Sequence, residues 1–158
     1  MGGAEAVEGM IKLIKLATRN EPKKSKFLAT HGAFHGKTSG AVSLGGRETW
    51  REHQQLDMSG FHHIPYGDAD ALEEELSKGI YKAFVVEPIQ GEGGVNVPPE
   101  GYLKKARELC TKYDAYLVVD EIQTGGARTG KMWCCEHEGI IPDCIVFGKG
   151  VAAALVPF

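Results

Sequence analysis

The sequence of 158 residues predicts an α/β fold: a mostly parallel sheet with helices on both of its faces. Two observations carry this prediction. Segments with helical periodicity alternate with short strand-like segments along the chain, and the later strands, such as "YLVVD" and "CIVF", are almost wholly apolar. A strand that is apolar on both sides is buried on both faces, as in parallel sheets. The sequence contains no internal repeat and no linker, so we expect one domain over residues 1–158.

The first half of the chain supplies a long helix and two strands. "GAEAVEGMIKLIKLATRN" is typical of an amphipathic helix, with Ala6, Met10, Leu13 and Ala17 as its predicted apolar face. "KFLATHG" is predicted as a strand that ends at Gly32, and "FHHIPYGD" as a second strand. Between them, "GKTSGAVSLGG" suits a helix or turn of small residues, and the polar stretch after it has no clear period.

The second half repeats the alternation. "DADALEEELSKG" begins with acidic cap candidates and is predicted as a helix. "KAFVVEPIQG", "AYLVVDEIQTGG" and "DCIVFGKG" are predicted as strands. A helix with Leu103, Ala106, Leu109 and Cys110 on one face separates the first two of these strands.

Composition excludes several functional classes. The net charge of −3 offers no basic surface for nucleic acid or an anionic membrane, and no apolar run reaches the roughly 18 residues that span a bilayer. The first residues lack the pattern of a signal peptide, so we expect a cytoplasmic protein. We expect the four cysteines to be reduced, and we expect no metal. A zinc site at Cys134, Cys135 and His137 would lack the usual pair spacing.

Polar residues follow the predicted strands, and the carboxyl ends of parallel strands meet at one edge of a sheet. These residues lie in the ranges 31–35, 87–92 and 120–123, together with Lys149. Asp120 follows an apolar strand and needs a cation or a hydrogen-bond donor, so it is either a ligand partner or a structural ion pair. Lys149 is either an amine nucleophile or a lysine whose charged end reaches solvent.

Three further features of this edge suggest a ligand. Gly2, Gly3 and Ala4 precede the first helix, whose free amides suit a phosphate, and "GEGGV" is a second phosphate candidate. Phe34 offers a flat surface for a planar ring, although an ordinary core phenylalanine is at least as common. Taken with Asp120 and Lys149, this set of groups describes pyridoxal phosphate held as a Schiff base.

A nucleotide-binding phosphate loop is the competing interpretation of "GAFHGKT", the stretch from Gly32 to Thr38. That motif needs four residues between its first glycine and the Gly-Lys pair, and only three are present here. The missing residue changes which backbone amides face a phosphate, so the spacing argues against this alternative.

Several stretches together resemble the class III, or omega-amino-acid, aminotransferases, and most closely their ornithine and putrescine branch. The stretches are "GAEAVE", "GAFHGKT", "VVEPIQGEGGV", "VVDEIQTGGARTG", "EHEGIIPD" and "GKG", in family order over nearly the whole chain. The resemblance implies a segment of the large domain of fold-type I pyridoxal-phosphate enzymes.

The resemblance also implies roles for individual residues. Lys149 would form the Schiff base with the cofactor, and Asp120 would pair with the pyridine nitrogen and keep it protonated. Gln123 would lie near the phenolic oxygen of the ring. Ile122 and Phe34 would pack on its two faces.

The remaining implied roles concern the phosphate and the substrate. Gly3 and Ala4 would hold the phosphate through backbone amides, and His35 would lie beside the cofactor ring. Glu92 would lie near the substrate, and Glu87 would support the site from close by.

The implied reaction is transamination between an amine or omega-amino acid, such as ornithine or putrescine, and a 2-oxo acid. The implied assembly is a homo-oligomer. Because family members are more than twice this length, we also expect an alternative: a truncated or engineered segment without the small domain, which keeps the fold but is not catalytically competent.

Overall fold

The computed structural model describes residues 2–152, which form five strands, six α-helices and one short 3-10 helix. In chain order the elements are α1 (Gly3–Ala17), β1 (Lys26–Thr30), α2 (Ser39–Leu44), α3 (Glu48–His53), β2 (Phe61–Ile64), α4 (Ala69–Leu76), β3 (Tyr81–Val86), α5 (Tyr102–Lys112), β4 (Tyr116–Asp120), the 3-10 helix (Cys134–Glu138), β5 (Cys144–Val146) and α6 (Lys149–Ala152).

The five strands form one sheet in the order β2-β1-β3-β4-β5, and every neighbouring pair is parallel. The predicted α/β class and parallel sheet are therefore confirmed. The carboxyl ends of all five strands therefore lie at the same edge of the sheet. The residues that follow the central strands β1, β3 and β4 and the edge strand β5 meet there.

Two apolar cores lie on opposite faces of the sheet. On one face α4 and α5 pack on side chains that include Leu28, Phe84 and Leu117. On the other face α1 and α2 pack on side chains that include Val85 and Val118. Consecutive residues of a strand thus serve different cores, which explains why the central strands are apolar throughout.

The long helix α1 forms where the sequence predicts it, but of the predicted apolar face only Met10 is buried. Its buried residues are Val7, Met10, Ile11 and Ile14, whereas Ala6 and Ala17 are exposed and Leu13 is 65% exposed. Both stripes have helical spacing, so periodicity alone cannot choose between them. The stripe with valine and two isoleucines removes more apolar surface from water than one with two alanines.

The other predicted helices are confirmed with small differences. The four residues expected on the apolar face of α5 are all buried. Asp68 caps α4, since its side chain accepts a hydrogen bond of 2.9 Å from the backbone N–H of Ala71. The polar stretch without a clear period contains the short helix α3, none of whose residues is buried. Within the described part of the chain, each helix is too short or too polar to cross a membrane.

Candidate functional site

A cavity of about 220 Å³ lies at the carboxyl edge of the sheet and collects the residues that follow four strands. It is lined by Gly3, Ala4, Phe34, His35, Gly36, Glu87, Asp120, Ile122, Gln123 and Lys149. Of the individual residues given a role in the site above, Glu92 does not line it, and Gly36 is an addition.

Asp120, the last residue of β4, is 3% exposed. Its Oδ1 accepts a hydrogen bond of 3.0 Å from the backbone N–H of Ile122, and its Oδ2 lies 2.6 Å from Nδ1 of His35. A carboxylate offers about four lone-pair positions, so both oxygens can accept a further donor from the cavity. The sequence predicts that Asp120 needs a cation or hydrogen-bond donors, and the structure provides them in the Ile122 amide and the His35 ring.

His35 is buried, and its side chain contacts Asp120 across 85 residues of sequence. Burial opposes a charged imidazole, but the hydrogen bond and negative charge of Asp120, aided by Glu87, raise the pKa of His35 above its usual value. The Nε2 atom of His35 has no hydrogen-bond partner among residues 2–152. A buried polar atom without a partner beside a cavity is consistent with a site built for a polar ligand.

Glu87 follows β3 and is 4% exposed. Its Oε2 accepts a hydrogen bond of 3.0 Å from the backbone N–H of Phe34, which ties the turn after β1 to the end of β3. Burial raises the pKa of Glu87 to about 7, although His35 and the Phe34 amide favour its charged form. The cavity therefore contains, beside the Asp120–His35 pair, one carboxyl group with a pKa near neutral pH, that of Glu87.

Lys149 is the first residue of α6, three positions beyond β5, and is exposed where it borders the cavity. The two glycines beside it lie against backbone. A Cβ built on Gly148 would lie 3.5 Å from Cα of Gly3. One built on Gly150 would lie 3.2 Å from the carbonyl oxygen of Gly125. Gly150 is therefore tightly packed, whereas the added carbon at Gly148 would be at an ordinary van der Waals distance.

The N-terminus of α1 closes one end of the cavity. A Cβ on Gly36 would lie 2.6 Å from Cβ of Ala4, and a Cβ on Gly3 would lie 2.8 Å from Cδ1 of Ile122. Side chains are therefore excluded where these backbones meet. First-turn amides have no acceptor within their own helix, so those of Gly3 and Ala4 are suited to an anion.

The second predicted phosphate candidate, "GEGGV", does not line this cavity. It forms a turn closed by the pairing of Gln90 with Asn96. A Cβ on Gly91 would overlap Oε1 of Gln123 at 1.8 Å, so Gly91 makes room for that side chain. Nε2 of Gln123 donates to Oε1 of Glu92 over 3.3 Å, and Glu92 itself is exposed.

Phe34 is half-buried rather than a core residue. Its ring meets Trp50 edge to face at a centroid distance of 5.5 Å, and the guanidinium of Arg47 lies 4.9 Å from the centre of the Trp50 ring. Phe34 is therefore supported from behind while it borders the cavity. Ile122 borders the same cavity from the turn after β4.

The groups of the cavity fit pyridoxal phosphate. A cavity below the roughly 300–1,000 Å³ typical of larger ligands suits a single substituted ring. Free helix amides suit the phosphate, a buried carboxylate suits a protonated ring nitrogen, and aromatic and aliphatic side chains suit the ring. The amine of Lys149 completes the set of groups that the sequence predicts.

Two supporting carboxylates were missed by the sequence reasoning. Oε1 of Glu8 in α1 accepts hydrogen bonds from the backbone N–H groups of Gly40 and Ala41, which fixes α2. Glu121 is buried beside Asp120 and accepts a hydrogen bond from Cys135. Glu8 carries no local signal, but Glu121 could have been questioned as a second carboxylate directly after an apolar strand.

Comparisons with known proteins agree with this geometry. The family model described as aminotransferase class-III matches residues 1–158. An uncharacterised aminotransferase of Schizosaccharomyces pombe is 65% identical over 157 residues, which make up 99% of this chain and 32% of that protein. The chain thus spans about a third of the length of this curated relative.

Solved structures give the same result. The ornithine aminotransferase of Toxoplasma gondii ME49 matches 99% of this chain and 38% of its own with a TM-score of 0.93 and 40% identity. A second structure of that enzyme, with a TM-score of 0.92 and 41% identity over the same shares of the two chains, describes partial occupancy of pyridoxal phosphate at its active site. The class III family implies pyridoxal phosphate as cofactor. The chain belongs to the class III aminotransferases.

Proposed function

We propose that this chain binds pyridoxal phosphate in the cavity at the carboxyl edge of the sheet and takes part in transamination. The observation that carries the proposal is the convergence of Lys149, the Asp120–His35 pair and the N-terminus of α1 on one small cavity. These groups come from four separate parts of the sequence, and core packing does not require them to meet.

When bound, pyridoxal phosphate supplies an aldehyde that combines with amines and a ring that withdraws electrons from the substrate carbon. Asp120 supplies negative charge for a protonated ring nitrogen. Because Ile122 and His35 already fix its two oxygens, the carboxylate needs little reorganisation to do so. The negative charge and hydrogen bond of Asp120 in turn raise the pKa of His35.

Lys149 has two tasks in this proposal. Its Nζ would hold the cofactor through the aldehyde, and as a free amine it would accept and donate a proton beside the donor's carbon. Its position at the start of α6, next to two packed glycines, confines the backbone while the side chain stays free to move. Gln123 and the Gly3 and Ala4 amides orient the ligand.

The proposed substrates are an omega-amino acid or diamine, of the ornithine or putrescine type, and a 2-oxo acid. The similarity to an ornithine aminotransferase at 40% identity supports this class of donor. Glu92, which Gln123 holds at the surface near the cavity, is the proposed contact for the donor's distal amine. A homo-oligomer is the proposed assembly.

A cofactor-binding segment without turnover is the second candidate function. The lining residues given above include no arginine, so nothing among them pairs with a substrate carboxylate as a guanidinium would. The chain also spans only 32% of the length of its curated relative. Binding and turnover are therefore separate claims.

One experiment separates these two functions. The chain is titrated with pyridoxal phosphate by equilibrium dialysis, and then supplied with ornithine or putrescine and with 2-oxoglutarate or pyruvate while amino-acid formation is followed. Binding with turnover supports the aminotransferase, and binding without turnover supports the second candidate. Absence of saturable binding would refute both, and Asp70→Asn on the exposed side of α4 is the control for nonspecific effects.

A further inference from the structure

The strongest unexplained feature near the site is a buried carboxylate that does not reach the cavity. Glu121 is 1% exposed and directly follows Asp120, yet it does not line the cavity. Isolated carboxylates are costly to bury, so the partners of Glu121 indicate what it is for.

The partners of Glu121 close a loop. Its Oε1 accepts a hydrogen bond of 2.9 Å from the backbone N–H of Cys135, fourteen residues further along. Its Oε2 accepts from the hydroxyl of Thr124, which is itself 5% exposed. Its own backbone N–H donates to the carbonyl of Val146 in β5 at 2.7 Å. The segment 121–135 is thus fastened at both ends by one residue.

This closed loop is packed from within. The backbone N–H of Gly126 donates to the carbonyl of Met132 at 3.0 Å. A Cβ on Gly125 would lie 2.9 Å from the ring of Trp133, so the backbone there lies directly against the indole. The loop therefore holds the adjacent glycines Gly125 and Gly126, called the glycine pair below, in a fixed place.

The glycine pair supports the chain that carries Lys149. A Cβ on Gly126 would lie 3.4 Å from Cα of Gly150, and one on Gly150 would lie 3.2 Å from the carbonyl oxygen of Gly125. The two backbones thus lie so close that a single added carbon on either glycine would be in contact with the other backbone, and no flexible side chain lies between them to absorb a shift. A displacement of the loop would therefore displace the residue next to Lys149.

We propose that Glu121 is a positioning residue: its carboxylate closes the loop 121–135, whose Gly125–Gly126 backbone holds Lys149 in place through Gly150. Ile122 and Gln123 lie on the same loop. The hydrogen bonds of Glu121, called the clamp below, would therefore position three groups that border the cavity: Ile122, Gln123 and Lys149. The inference rests on the proposed function for what Lys149 does. The support itself is a property of the chain without cofactor.

The test is amide hydrogen exchange on the unliganded 158-residue chain, read by mass spectrometry in peptides covering 121–135, 144–152 and 26–30. In Glu121→Ala the buried Cys135 N–H loses its acceptor, and we expect exchange to become about tenfold faster in the first two segments and to stay unchanged in β1. Glu121→Gln keeps an acceptor for Cys135 and can donate to Thr124, so it restores most of the protection. Glu136→Gln, which changes an exposed glutamate directly after this loop, is the matched control.

One result overturns the inference directly: faster exchange in 121–135 with the wild-type rate retained in 144–152. If Glu121→Ala opens the whole chain, peptide 26–30 exchanges faster as well. Thr124→Val then replaces it, because this variant removes one donor and leaves the Cys135 bond in place. It is expected to raise exchange in both segments by a smaller factor, and a rise confined to 121–135 again contradicts the inference.

A second readout connects the clamp to the site. The rate of borohydride-trapped capture of pyridoxal phosphate at saturating concentration is compared between wild type and Glu121→Ala. A positioning role lowers this rate constant about tenfold, whereas a role in folding alone lowers only the fraction of chains that react. A wild-type chain that captures no cofactor would refute the proposed function and leave the exchange result standing.

Discussion

His35 and His63 both lie where β1 and β2 end, yet their partners carry opposite charges. His35 lies 2.6 Å from the carboxylate of Asp120. Nη1 of Arg51 lies 2.8 Å from Nδ1 and 3.1 Å from Nε2 of His63, and Nε2 also lies 3.0 Å from the carbonyl oxygen of Leu44. Because arginine only donates, the shorter contact suits a neutral imidazole that accepts at Nδ1 and donates from Nε2 to the carbonyl.

The pKa values of the two histidines follow these partners. Burial lowers the pKa of His63 to about 4, with Arg51 adding to the effect. Burial also opposes a charged His35, but Asp120 outweighs it and raises the pKa of that imidazole. The comparison teaches that burial alone does not set the state of a histidine, and that only the residue beside the cavity is arranged to be charged. We expect the following changes to separate the two regions.

Asp120→Asn should have the largest effect. It removes the anion that offsets the burial of His35, so the pKa of His35 should fall below its usual value. Breaking a buried pair of this kind costs about 3 kcal/mol of unfolding free energy. Urea unfolding measures the stability, and an NMR titration of the histidine ring protons measures the pKa. The pKa of His63 should rise only slightly, because the charge of His35 is the smallest of the causes that lower it.

Asp70→Asn, at an exposed position of α4, is the control for loss of an aspartate charge. A titration of His35 that is the same in wild type and Asp120→Asn would contradict the claimed pairing.

Glu87→Gln should change the pH dependence of stability. The folded state holds the Glu87 proton up to about pH 7, compared with about 4.5 for an ordinary glutamate. The contribution of Glu87 to the free energy of unfolding is therefore fully present below about pH 4.5. It is lost as the pH rises through about 7, by on the order of 3 kcal/mol. Gln can still accept from the Phe34 amide and does not titrate. Urea unfolding at pH 5 and pH 8 should show a smaller difference in the variant.

The exposed Glu74→Gln is the matched control, and it should keep the wild-type pH dependence. An equal loss of stability between pH 5 and pH 8 in wild type and Glu87→Gln would show that Glu87 is not the group responsible.

Arg51→Met should have a smaller effect, confined to the His63 region. Removing the guanidinium should raise the pKa of His63 from about 4 without restoring its usual value, because burial is the larger cause. The lowered pKa makes wild-type stability rise with pH between about 4 and 6.5, and the variant should narrow that window. NMR titration gives the pKa, with Arg19→Met in an exposed position as control. A shift of His35 in Arg51→Met would contradict the separation of the two regions.

Lys149→Ala should have the smallest effect on stability, within about 0.5 kcal/mol, because the side chain is exposed. Urea unfolding checks this. A large loss would show that Lys149 serves the fold rather than a ligand.

Much of the fold and the site could be predicted from the sequence, because apolar strands fix the parallel sheet and its carboxyl edge then gathers the polar residues. The apolar face of α1 could not be predicted, because two stripes of apolar residues have helical spacing. Packing of the helix on the sheet selects one of them. The Asp120–His35 contact joins residues 85 positions apart, and neither residue's local sequence encodes it. The clamp at Glu121 likewise depends on where the loop returns at Cys135.

The measurement that tests the central claim most directly is peptide mapping after the chain is mixed with pyridoxal phosphate and reduced with borohydride. The account predicts one modified residue, Lys149, and loss of the modification in Lys149→Ala with stability unchanged. Asp120→Asn should weaken the labelling, while Asp70→Asn should leave it intact. Modification spread over the surface lysines, or retained in Lys149→Ala, would contradict the account.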